Sequence, residues 1–268
     1  MTQLAEYLQF GFVQRALAAG VFIALACGAL GVFLLLRRMA MIGDGLAHFA
    51  FGAVGLALLL GAAPLGLALP LTVAAACLIL HLPEKSAFYG DAAIGMVSAV
   101  GLALGVLLAS LGGGFNVDLF SFLFGDVLAV SRAEVGLAIG LSLTVLGLLL
   151  VGRHELFAIT FDDAHARTMG LRTGRWNRLL AALAALTVVL GIRVVGTLLV
   201  SSLIVFPAAT ALHLGRGFRA TLALAAGLAA LSVIAGLVLS LCFNAPAGAC
   251  ITLVNAFFFG ITRQVRRR

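Results

Sequence analysis

The sequence predicts an all-α polytopic membrane bundle of about nine transmembrane helices, and three observations predict it. The 268 residues are 63% hydrophobic. Only 10% are charged, against about 25% in a soluble domain. Apolar runs close to the roughly 20 residues of a spanning helix recur along the whole chain. Such a chain cannot cover its apolar surface with groups that suit water, so the lipid bilayer is its solvent.

Taken in order, residues 1–15 form a short, mildly amphipathic segment expected at the interface. Glu6 precedes Arg15 and no basic stretch leads the first run, so no cleavable signal is expected. The runs lie at about 16–36, 45–63, 65–81, 92–112, 133–152, 178–192, 194–214, 220–241 and 246–262. Arg193 alone separates the sixth from the seventh, and Pro207 inside the seventh should kink or break it. The gap 113–131 is acidic and aromatic and reads as an outer loop with a short helix on the membrane face. Thirty-two glycines favour close helix packing in lipid. No linker divides the chain, so residues 1–268 read as a single membrane domain.

Charge sets the orientation. Fourteen Lys and Arg residues fall in one set of alternate gaps and three (Arg15, Arg132, Arg193) in the other. By the positive-inside rule the N-terminus lies outside and the C-terminus in the cytoplasm. The net charge of +7 therefore serves topology and does not point to nucleic acid. Cys27, Cys77, Cys242 and Cys250 lie in or beside apolar runs without a CxxC pair, as small packing residues do.

The stretch Arg37 to Gly55, RRMAMIGDGLAHFAFGAVG, concentrates the chemistry. Asp44 and His48 stand four apart, on one face of a helix and one turn from each other. Imidazole with carboxylate suits zinc, iron or manganese, and the lack of thiolate argues against copper(I). Two ligands fall short of the four of tetrahedral zinc. A two-fold homodimer with this helix at its axis would supply two of each, and Gly52 and Gly55 offer a small-residue face for close approach. Water or another helix could instead complete the shell. The simpler alternative makes Asp44 a helix cap over 45–48 and His48 a satisfied polar residue. His81, His154 and His165 fall in or beside cytoplasmic gaps as solvated or interfacial residues, and His213, at the cytoplasmic end of run seven, reads as a snorkelling end residue, with contact to an exiting metal ion as the alternative. Ser201 and Ser202 read as packing or backbone-bonding residues. In the cytoplasmic segment 153–177, Thr160 to Asp163 can cap a short helix of about 163–169 that Gly170 stops. That helix is either a docking knob or an ordinary solvated connection.

The succession FVQRALAAG (12–20), LGVFLLLRRMAMIGDGLAH (30–48), LFGDVLAV (123–130), FDDAHARTMGL (161–171) and VVGTLLVSSLIVFPAATAL (194–212) resembles the permease subunit of bacterial zinc/manganese ABC transporters. The similarity runs in order over nearly the whole chain. It implies a homodimer in the bacterial inner membrane, driven by cytoplasmic ATP-binding subunits and fed by an extracytoplasmic metal-binding protein. It implies that Asp44 and His48 line the metal path, with zinc the first candidate cargo and manganese or iron the others, and no permanently bound cofactor. It also implies that Asp162, Asp163, Arg167 and Gly170 belong to a segment coupling the permease to the ATPase. The arrangement is similar as well to importers for vitamin B12 and iron chelates, whose permeases carry more helices. Independently of the resemblance, no GxxxxGK[ST] motif occurs and Lys85 is the sole lysine, so ATP hydrolysis has to come from a separate chain.

Two other classes compete with this reading. An intramembrane aspartyl protease would pair Asp44 with Asp126, both in Gly-Asp dipeptides, but the expected topology puts them on opposite sides. An ion-coupled secondary carrier would need coupling carboxylates in several helices, and runs six to nine contain none.

Overall fold

A backbone in lipid has to satisfy its own hydrogen bonds, which leaves the helix as the unit of construction for such an apolar chain. The computed structural model describes residues 10–85, 90–111, 132–215 and 217–265, and all regular structure among them is helical. The helices are α1 (Gly11–Leu36), α2 (Ile42–Leu59), α3 (Pro64–Lys85), α4 (Gly90–Leu111), α5 (Arg132–Val151), α6 (Arg153–Phe161), α7 (Asp163–Thr168), α8 (Thr173–Val195), α9 (Thr197–Leu214), α10 (Phe218–Phe243) and α11 (Ala247–Val265). Among the described residues six of them (α1, α2, α4, α5, α8 and α10) contain a stretch long and apolar enough to cross a membrane, while Pro64–Leu80 and Leu199–Leu214 are shorter apolar stretches. The acidic, aromatic gap 113–131, with Asp126 and the LFGDVLAV motif, lies outside the described residues.

α1 is the central helix. Ile23, Cys27, Leu30, Phe33 and Leu34 are all buried to 1% exposure or less, because α1 is surrounded by α5, α8, α9 and α10. Two glycines make this possible. A Cβ on Gly28 would run into the Ala225 backbone of α10, and one on Gly31 into the Ile204 backbone of α9. Around this core α2 packs on α3 and α4, α3 on α8, and α11 on α9 and α10.

Several boundaries differ from the sequence expectation. Helix α1 starts at Gly11, so the segment read as interfacial is helical from there on. The break between α8 and α9 falls at Gly196, not at Arg193. Gly196 adopts φ 86° and ψ 163°, a conformation that a side chain resists, whereas a single arginine leaves the helical ladder intact. Pro207 does not break α9, which runs through it. Proline removes one ladder donor, but the buried Leu203, Ala208 and Ala211 hold the helix in its packing. Helix α6 lies within the segment read as a connection; it buries Leu156 and Ile159 and leaves Phe157 and Phe161 exposed.

The small-residue face of α2 also finds its partner within the chain. Gly52 lies against the backbone of Gly101 on α4, and Gly101 and Gly105 lie against Phe49 and Phe51. The expectation that Gly52 and Gly55 form a dimer face is therefore corrected: α4 covers Gly52, and Gly55 faces Gly105 and Leu108.

Candidate functional site

Helix α2 begins at Ile42, with Met41 in the cap position and no side-chain cap. Asp44 is thus inside the first turn, and the reading of Asp44 as a cap over 45–48 fails. The helix dipole still favours a carboxylate there. One turn on, His48 Nε2 lies 3.6 Å from Asp44 Oδ2, with His48 30% and Asp44 39% exposed. The pair is flanked by the buried Gly45, Leu46 and Ala47 but keeps an accessible edge.

The structure adds a residue that the sequence reading left as packing. Ser201 Oγ of α9 donates to Asp44 Oδ1 at 3.4 Å, across 157 residues of chain. Gly43 lets the two helices meet, since a Cβ there would strike Ile204 Cδ1 and reach Ser201. The neighbouring Ser202 serves a different contact: it donates to Leu199 O at 2.9 Å and accepts from Thr252 Oγ1 of α11 at 3.1 Å. A serine doublet in an apolar run, just ahead of a proline, was the available signal.

Among the described residues no three His, Cys, Asp or Glu side chains cluster as a metal site. The constellation among the described residues is thus a carboxylate, an imidazole and a neighbouring hydroxyl. No other histidine among the described residues forms a metal-binding group with the pair. His154 Nε2 accepts from Arg153 Nε at 3.2 Å, and His213 Nδ1 lies 2.7 Å from Ala209 O. The His81 side chain is outside the described residues.

The coupling candidates form a separate constellation on α7. Asp162 caps it, with Oδ1 accepting from His165 N at 2.9 Å. At the other end Leu171 N donates to Ala166 O at 3.1 Å and Gly170 N to Arg167 O at 3.0 Å, the paired bonds of a Schellman stop. Gly170 supplies the required left-handed turn at φ 83°. Arg167 Nη2 pairs with Asp163 Oδ2 at 2.7 Å, and its Nε donates to Thr173 Oγ1 at 3.0 Å, tying α7 to α8. Phe161 and Met169, 63% and 68% exposed, stand at the two ends.

The structure is thus a bundle of apolar helices with a partly exposed Asp–His pair on α2 and a separate capped helix, α7. The comparisons specify the family. The model of the ABC 3 transport family matches residues 9–265, and the chain belongs to that family. It is similar to the manganese import system permease protein ScaB of Streptococcus parasanguinis, 34% identical over 95% of this chain and 90% of that one. It is also similar to the high-affinity zinc uptake system membrane protein ZnuB of Haemophilus influenzae, 32% identical over 97% and 99%. Among solved structures it matches PsaBC from Streptococcus pneumoniae in complex with Fab, with TM-score 0.87 and 31% identity over 97% of this chain and 94% of that one. The chain is a membrane-embedded metal ABC transporter permease, and ATP hydrolysis resides in a separate subunit.

Proposed function

We propose that this chain is the membrane-spanning subunit of an ATP-driven importer of zinc or manganese, in which Asp44 and His48 line the metal path. The observation that carries the reading is the Asp44–His48–Ser201 contact, where a carboxylate, an imidazole and a hydroxyl converge from two helices. Relatives named for manganese and for zinc support the cargo class. Between the two, a nitrogen ligand and the Irving–Williams order favour zinc. Two copies of the chain would supply the ligands that one lacks; with α4 covering Gly52, ligand shortage is what supports the dimer. Cytoplasmic ATP-binding subunits engage the α6–α7 surface through Asp162, Asp163, Arg167 and Gly170, and an extracytoplasmic protein delivers the metal. The fourteen-to-three arginine and lysine bias supports an N-terminus outside and a C-terminus inside, with the nine long helices as crossings and 1–268 as one domain.

The test is uptake by the reconstituted complex with labelled zinc and manganese in competition. Zinc outcompeting manganese at equal concentration supports the cargo order. Transport of neither ion, with ATPase activity intact, sinks the reading.

A further inference from the structure

A second polar feature lies away from Asp44. Between α3 and the first turns of α8 is a cavity of about 430 Å³, lined by Ala74, Cys77, Leu78 and Leu80 on one side and by Asn177 and Arg178 on the other. Asn177 is 8% exposed, and its Oδ1 has no hydrogen-bond partner among the described residues. A buried carbonyl oxygen left unpaired is costly, so it calls for a donor. Arg178 folds over the first turn, donating Nε–H to Gly174 O at 3.1 Å, and keeps its charge at the exposed rim. Arg172 and Arg175 are exposed at the same helix end, where the dipole of α8 adds further positive potential. The α3 wall is apolar, and Leu78 is half exposed along it.

The depth fits a headgroup. Trp176, the sole tryptophan, packs its ring against Gly152 at the end of α5. Tryptophan favours the level where hydrocarbon gives way to headgroups. Asn177 and Arg178 follow it directly.

We propose that this groove binds an anionic phospholipid with a hydroxyl-bearing headgroup, of the phosphatidylglycerol class. The phosphate sits against Arg178 and the start of α8, a headgroup hydroxyl donates to Asn177 Oδ1, and the acyl chains run along Ala74 and Leu78. Phosphatidylethanolamine also offers a donor, but its ammonium meets the three arginines. Phosphatidylcholine offers no donor at all. The inference rests on membrane embedding alone and is independent of the metal path.

The experiment uses the delipidated complex of this chain with its ATP-binding subunit, titrated by native mass spectrometry. The probes are phosphatidylglycerol, phosphatidylethanolamine, phosphatidylcholine and glycerol phosphate. Phosphatidylglycerol is expected to bind at least tenfold more tightly than either zwitterionic lipid. Arg178→Gln, a surface change that leaves folding intact, should erase that preference. Asn177→Leu should weaken binding severalfold, and Arg219→Gln at the start of α10 should change nothing. Equal binding of the three lipids, or an undiminished preference in Arg178→Gln, overturns the proposal. Glycerol phosphate binding as tightly as the lipid also overturns it, in favour of a site for a soluble anion. If the ATP-binding subunit covers the groove, no lipid binds the complex, and that too refutes it.

Discussion

Asp44 is where residue chemistry has most to decide. Its carboxylate faces both His48 and Ser201, so each neighbour can be tested separately. Ser201→Ala removes one donor to the carboxylate and leaves both metal ligands in place. A hydrogen bond to a charged group contributes about 1.5–3 kcal/mol at good geometry, and 3.4 Å is long, so the effect should fall below that range. The expected outcome is a KM for metal raised about two- to fivefold with little change in maximal rate, and Ser201→Thr restoring it. His48→Ala takes away the nitrogen ligand and should abolish uptake at equal membrane abundance. The Asp44–His48 pairing was legible because it is local: four residues in a helix fix the face. Ser201 was not, because contact between residues 157 apart depends on how α2 and α9 cross, which no periodicity encodes.

At the scale of elements, α7 was readable from its own caps. Asp162 at the start and Gly170 at the stop are local backbone chemistry, independent of the surrounding fold. Replacing Gly170 by valine forces a β-branched residue to φ 83°, at a cost of roughly 1–2 kcal/mol or more. A Cβ there meets no neighbouring atom, so the strain is confined to the backbone. The expected result is a chain that still inserts and assembles but shows metal-stimulated ATPase activity uncoupled from uptake. Normal coupling would remove Gly170 from the docking role. The face of α2 illustrates the opposite case. Gly52 and Gly55 announced a close helix approach, and the approach is real, but a small-residue stripe does not name its partner. It went to α4 instead of a second chain. Gly52→Val should therefore destabilise the monomer itself, by about 1–3 kcal/mol from overpacking, seen as a lower thermal midpoint in detergent. The α8–α9 boundary was misplaced for a related reason: charge marks a solvation preference, while Gly196 marks where the backbone turns.

For the whole molecule, composition alone established the membrane class, since an apolar fraction of 63% leaves no soluble alternative. Membership of the ABC 3 transport family then removes the protease and carrier readings and makes this chain one part of an assembly whose ATPase is a separate subunit. Two polar constellations follow from that division of labour. The Asp44–His48–Ser201 contact sits between α2 and α9, and α7 carries its own cap at Asp162. We propose that they serve as metal path and drive. Asp44→Asn tests that account most directly, because it keeps the side chain's shape and removes its charge. It also leaves α7 untouched, so assembly with the ATPase should persist. Labelled zinc and manganese uptake, measured with reconstituted complexes at equal permease abundance, should drop at least a hundredfold in Asp44→Asn for both ions. Near-normal uptake of either ion by that variant would contradict the claim that Asp44 lines the metal path.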